Sequence, residues 1–250
     1  MLTRAAPRPA ATWAYGSDPD QVIDGYLPAA GPGSLPTVVL VHGGYWRPEY
    51  DRAHARCAAG GLAAAGFPTA LAEYRRIPGA PDTLLEDVLA AVAAVARGAT
   101  ELPGGAVLVV GHSAGGHLAL MAAQSPDVAG CLALAPVADL HMADALHLDD
   151  DAVREFLGSP AADRPDLDPA CSSAPPCPTL VLHGTEDELV PIAVSQSYAH
   201  RTGVPLHPLA GVGHFAVIDP ESAAWPVVIE HLHRLGAGPG APGGDQRSEA

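Results

Sequence analysis

Residues 106–124 constrain the fold of this chain more than any other stretch. Ala106 to Val110 is a continuous apolar run, rich in valine and short enough for a strand covered on both faces. Ala114 to Gln124 is dominated by Ala, Leu and Met, which favour helix. Between them lies Gly111-His112-Ser113-Ala114-Gly115, a G-x-S-x-G pattern at a strand-to-helix turn. Such a turn lifts a serine hydroxyl clear of the backbone, at the cost of a strained serine conformation. Glycines on either side remove the Cβ atoms that would collide across it. The following helix directs its free N–H groups and positive dipole end at the same point.

The remaining chain reads as alternating strands and helices. Residues 37–41, 69–74, 131–136, 179–183 and 204–209 are apolar runs of strand length. Residues 51–65, 83–97, 192–202 and 221–235 are helical stretches, the last firm only after Pro226. Residues 12–15 and 21–26 predict two short strands around a Gly16-Ser17-Asp18-Pro19 turn. This alternation predicts a mostly parallel sheet with helices on both faces, in one domain over residues 1–235. Residues 137–178 form a long Pro-, Ser- and Asp-rich insertion with a helix near 150–157, expected to act as a lid. Residues 236–250 read as a disordered tail.

In a parallel sheet, ligands gather at the carboxyl ends of the strands. His42 to Tyr45, Ser113, Asp187 and His214 each follow a predicted strand, so they should share one rim. A serine alcohol needs a base, an imidazole can serve, and a carboxylate can orient that imidazole. The order Ser113, Asp187, His214 is the one expected with a nucleophile on such an elbow. Oxyanion donors are expected from the N–H groups of Ala114, Gly44 and Tyr45, and of Gly43. Trp46 and Phe215 are candidates for pocket walls, against the alternative that each anchors its own loop.

There are rivals for each role. The chain has 12 histidines; His214 is preferred because Gly211 and Gly213 place it on a loop after a strand. His112 and His117 flank the serine and are expected to turn away from its oxygen. Glu186, Glu188 and Asp139 compete with Asp187 for the acid. Asp149, Asp150 and Asp151 read as a solvated acidic patch rather than a metal site. The four cysteines show no zinc spacing, so neither metal nor cofactor is expected. Cys171 and Cys177 could pair only in an oxidising compartment.

The formal net charge is −15, which argues against nucleic acid and anionic membrane surfaces as partners. A small molecule is the expected partner, and a homodimer is open. Residues 1–16 hold no apolar signal core, and no apolar run reaches membrane-spanning length, so a cytoplasmic location is expected.

Together, His42-Gly43-Gly44, Gly111 to Gly115, His183-Gly184-Thr185-Glu186-Asp187 with Val190-Pro191, and Gly213-His214 resemble the α/β-hydrolase superfamily. The resemblance runs from about residue 37 to residue 235 and implies the α/β-hydrolase fold and a cofactor-free serine hydrolase acting through an acyl-enzyme. His42-Gly43-Gly44-Tyr45-Trp46 and Glu73-Tyr74-Arg75 further resemble the kynurenine formamidase (arylformamidase) group. That resemblance implies hydrolysis of an aryl-formamide such as N-formylkynurenine, with Ser113, Asp187 and His214 as triad. A short-chain carboxylesterase or peptidase-like hydrolase is the alternative, and a non-catalytic binding module on the same fold is the alternative of another class.

Overall fold

The computed structural model describes residues 6–31 and 33–237. Of the expected tail, residues 236–250, Gly236 instead closes the last helix, and residue 238 onward lies outside the described residues. Eight strands form one sheet in the order β1-β2-β4-β3-β5-β6-β7-β8. They are β1 (Ala11–Ala14), β2 (Val22–Tyr26), β3 (Val38–Val41), β4 (Thr69–Ala72), β5 (Val107–His112), β6 (Val128–Leu134), β7 (Thr179–Gly184) and β8 (Leu206–Leu209). The β1–β2 and β2–β4 pairings are antiparallel, and all others are parallel. This is the mostly parallel sheet expected, with an antiparallel hairpin added at one edge.

The central strands are buried on both faces, and alternate side chains supply two cores. Val39, Val41, Val107, Val109, Cys131 and Ala133 face one core, shared with α2 (Pro81–Ala96), α3 (Ala114–Ala122) and α6 (Ile192–Thr202). Val38, Leu40, Leu108, Val110, Leu132 and Leu134 face the other, shared with α1 (Arg56–Ala64) and α7 (Trp225–Gly236). Pro226 sits in the first turn of α7, where its missing N–H costs no helical bond.

The 137–178 insertion is more ordered than a loop-rich composition suggests. It carries α4 (Leu140–Ala145), α5 (Leu148–Leu157) and three one-turn 3₁₀ helices between Ala161 and Cys171. The expected helix near 150–157 begins regularly only at Ala152, because Asp149, Asp150 and Asp151 all have left-handed φ values between 47° and 63°. The insertion is fastened at several points. Gly79 N–H donates to the Glu155 carbonyl at 2.9 Å, His117 Nε2 meets the Leu167 carbonyl at 2.8 Å, and Arg47 holds Asp149 and Glu155.

Candidate active site

The parallel strands deliver their following loops to one rim, as the alternation requires. Ser113 stands between β5 and α3 with φ 57° and ψ −122°, the strained conformation the pattern predicts. The two flanking glycines are sterically obligatory. A Cβ on Gly111 would lie 2.1 Å from the Gly115 carbonyl oxygen, and one on Gly115 would lie 2.3 Å from the carbonyl oxygens of Val41 and His42. The elbow is pinned from below, with Ser113 N–H donating to the Leu134 carbonyl at the end of β6.

Ser113 and His214 line the same cavity of about 330 Å³, together with Gly44, Tyr45, Tyr50, His54, His112, Asp149, Leu189 and Phe215. His214 Nδ1 lies 2.7 Å from Asp187 Oδ2, leaving Nε2 as the nitrogen not engaged with the acid. Asp187 also accepts from the N–H groups of Leu189 (3.0 Å) and Val190 (2.9 Å). Burial alone would raise the Asp187 carboxyl, but hydrogen bonds from His183, His214 and Val190 outweigh it and hold the group ionised, well below the ordinary carboxylate range. Glu186 and Glu188 are exposed, so their alternation with the buried Asp187 decides which of the three meets the imidazole. Asp139 is occupied elsewhere, capping α4 through Met142 N–H and accepting from Ser197 Oγ.

The loop after β3 lies against the serine. The Cα of Gly43 packs so closely that a Cβ there would meet the His112 carbonyl oxygen at 2.8 Å and Ser113 Cβ at 2.9 Å. Gly44, Tyr45 and Trp46 all have positive φ (116°, 49° and 58°), and Arg47 N–H closes the turn on the Gly44 carbonyl at 3.0 Å. Among the described residues, the N–H groups of Gly43, Gly44, Tyr45 and Ala114 donate to no protein acceptor. These four are the donors expected for an oxyanion, and Gly44 and Tyr45 border the cavity.

One expectation needs correction. Trp46 does not line the cavity. Its left-handed backbone turns the indole into the core, where it stacks on Phe156 of α5 at 4.4 Å and meets His117 edge-on. It fastens the 137–178 insertion to the loop, whereas Phe215 does border the cavity. His112 borders the cavity, and its Nε2 sits 2.9 Å from the His214 carbonyl, so the residue before the serine holds the backbone of the imidazole loop. Burial, reinforced by the neighbouring His214, drives His112 well below the ordinary imidazole range and keeps it neutral. Adjacency to Ser113 was the only sequence signal for this role.

The buried Ser195 hydroxyl is 2.7 Å from His183 Nδ1, but both residues are fully buried and neither borders the cavity. That pair braces the Asp187 loop from within, because His183 Nε2 faces the Val190 carbonyl and Asp187. His207 and His231 pair with each other at 2.9 Å, remote in sequence from the elbow. No disulfide joins the cysteines. Linear spacing did not anticipate one cluster: His141, Asp168 and Cys171 bring possible ligand atoms within 4.8 Å of one another. The buried Asp168 already accepts from Ala170 N–H on one oxygen and from His141 N–H and Nδ1 on the other, a complete hydrogen-bonding role without an ion.

A model of the prolyl oligopeptidase family matches residues 80–220, more than half of the chain and both sides of the elbow. The chain belongs to the prolyl oligopeptidase family. A BD-FAE model matches residues 23–130. No curated protein matches the sequence. The fold of this prolyl oligopeptidase family member is similar to esterase B from Lactobacillus rhamnosis inhibited by a tributyrin phosphonate (22% identity, 93% of this chain and 87% of that chain, TM-score 0.75). It is also similar to a propionate-bound esterase of Thermogutta terrifontis (24%, 94% and 97%, TM-score 0.70) and a truncated carbohydrate esterase from gut microbiota (17%, 93% and 100%, TM-score 0.71). At these identities the likeness establishes the α/β-hydrolase fold. With its family, this makes the chain a serine hydrolase.

Proposed function

We propose that this chain is an esterase that transfers a short acyl group from a small ester to Ser113 and then to water. The observation that carries the reading is the single cavity bordered by both Ser113 and a His214 whose Nδ1 is held by Asp187. Ser113 Oγ attacks the ester carbonyl carbon, and its proton passes to His214 Nε2. The oxyanion that forms accepts from the N–H groups of Ala114 and of the Gly43–Tyr45 turn. As the carbon–oxygen bond breaks, the imidazolium returns its proton to the departing alkoxide, releasing an alcohol. Water repeats the sequence, its proton going to His214 and its hydroxide to the acyl carbon, and the acid leaves with Ser113 restored.

The cavity of about 330 Å³, at the low end of the range for small-molecule sites, supports a short acyl chain. So do the propionate and the tributyrin phosphonate carried by two structures of similar fold. An aryl-formamide such as N-formylkynurenine is the narrower reading, supported only by the His42-Gly43-Gly44-Tyr45-Trp46 loop and the Glu73-Tyr74-Arg75 stretch. Trp46, the most distinctive residue of that loop, packs on the lid rather than on the cavity, which favours the ester. Rates on p-nitrophenyl acetate, p-nitrophenyl butyrate and N-formylkynurenine distinguish the two. The esterase reading expects the nitrophenyl esters to be turned over faster, and a strong preference for the formamide would replace it.

A further inference from the structure

Behind the turn that faces Ser113 lies a buried network that the proposed reaction does not itself use. His42, fully buried, has Nδ1 2.8 Å from the Gly43 carbonyl oxygen and Nε2 2.9 Å from Glu73 Oε1. A carbonyl oxygen accepts only, so Nδ1 carries hydrogen. Glu73 is surrounded by donors: Arg52 N–H at 2.9 Å and Arg52 Nη1 at 3.4 Å on Oε2, and Tyr74 N–H at 3.2 Å and Arg76 Nη1 on Oε1. Burial raises the Glu73 carboxyl, but His42, Arg52 and Arg76 outweigh burial and bring it down to about 2. An ionised carboxylate accepts only, so Nε2 carries hydrogen as well. The ring also stacks flat on Tyr74 at 4.6 Å and 17°, a face that suits a cation, while Tyr74 Oη donates to the His42 carbonyl at 2.8 Å.

We propose that Glu73 is a positioning residue for the oxyanion loop: it holds His42 as a doubly protonated ring whose second N–H fixes the Gly43 carbonyl. The proposal rests on the esterase reading for its catalytic consequence, but not for its chemistry. Orienting the Gly43 carbonyl orients the peptide plane that presents the Gly44 N–H. A fixed positive ring behind that plane also favours the negative oxygen of the tetrahedral intermediate. The charged and titratable groups facing the ring are Glu73 and Tyr74 after β4, and Arg76 two residues on. From the segment before α1 come Arg52 and His54, the latter edge-on at 5.4 Å. Behind them, Asp24 of β2 takes up Arg52 at 3.1 Å and Arg56 at 2.9 Å, Asp20 lies 3.8 Å from Arg76, and the Asp51 carbonyl holds His54 Nδ1. The arginines that compete with His42 for Glu73 are thus partly neutralised by their own carboxylates.

Nitrogen NMR of the wild-type protein with ¹⁵N-labelled histidine tests the proton count at about pH 8, above the ordinary imidazole range. The His42 signals are identified by their proximity to the Tyr74 ring protons. Two protonated ring nitrogens are expected, and a neutral tautomer would overturn the proposal whatever the enzyme's rate. Kinetics on p-nitrophenyl butyrate test the consequence. Glu73→Gln keeps an acceptor but loses the charge, and kcat should fall about tenfold to a hundredfold with KM within about threefold. Glu73→Asp, which restores the charge, should recover part of the loss. A folded Glu73→Gln protein with unchanged kcat, or one in which only KM moves, would remove the positioning role. Should that variant not fold, the wild-type spectrum still decides the charge state. A wild type without turnover, or a Ser113→Ala variant as active as wild type, would instead sink the esterase reading and leave the spectrum to be judged alone.

Discussion

Single residues carry the sharpest predictions. Ser113→Ala should lower kcat on p-nitrophenyl butyrate by several orders of magnitude, since the members of a triad act as a unit. A near-normal rate would remove Ser113 from its proposed role. That these residues meet at one rim is legible in the sequence because each follows a strand, and the elbow pattern marks the serine. The choice of Asp187 over Glu186 and Glu188 was legible less directly; it depends on which of three neighbours turns inward, which burial alone settles. Which way Trp46 turns is not legible, because its orientation follows from a positive φ, and no residue type there announces one. Histidine protonation gives a second prediction. Burial pulls His54 and His117 down to about 4, with the neighbouring His42 contributing at His54. Unfolded, both titrate near 6.5, so between about pH 6.5 and pH 4 the unfolded chain binds more protons. Stability from these two groups is therefore full above that window and declines as pH falls through it. Denaturant unfolding across the window should show the decline, and His117→Gln should make it shallower. A profile flat through the window would contradict the neutral burial of both rings.

At the scale of elements, the strand–elbow–helix unit and the 137–178 insertion differ in how the sequence specifies them. The elbow is specified locally. Gly115→Ala would push a methyl to 2.3 Å from two carbonyl oxygens of the β3 end, and neither can retreat without moving that strand. This substitution should destabilise the protein by about 3 kcal/mol or more, readable as a lower urea midpoint. The insertion is specified by contacts between distant segments, which is why only one of its helices is legible in the sequence. Arg47 is the main fastener: it donates to Asp149 Oδ2 at 2.5 Å, to the Asp149 carbonyl at 2.7 Å and to Glu155 Oε2 at 2.9 Å. Exposed pairs contribute little stability, so Arg47→Met should leave the urea midpoint nearly unchanged. It should instead speed amide hydrogen exchange in residues 148–158, which hold three consecutive left-handed aspartates in place. Unchanged exchange there would mean that the Trp46–Phe156 stack and the Gly79–Glu155 backbone bond hold the segment without Arg47.

For the whole molecule, the parallel sheet with helices on both faces was legible because short continuous apolar runs, the mark of strands covered on both sides, alternate with longer helical stretches. The antiparallel pairing of β2 with β4 was not, since nothing local says which strand a hairpin joins. The net charge of −15 acts over the entire surface. Arg47, the cation bound to the cavity-lining Asp149, is already committed to Asp149 and Glu155. A nitrophenyl ester bearing a carboxylate should therefore show a lower kcat/KM than a neutral ester of equal length, and the gap should narrow as salt screens the field. A gap independent of salt would assign the discrimination to contacts inside the cavity instead.

The attachment of Asp24 has a further consequence. This fully buried carboxylate of the edge hairpin receives Thr12, Arg52 and Arg56, and Arg52 reaches on to Glu73. The hairpin is thus wired into the catalytic rim through a chain of charges rather than laid against the sheet as a cover. Peeling it away would take from the half-buried Arg52 and Arg56 the carboxylate they share, so its opening and the loss of turnover should be a single cooperative event.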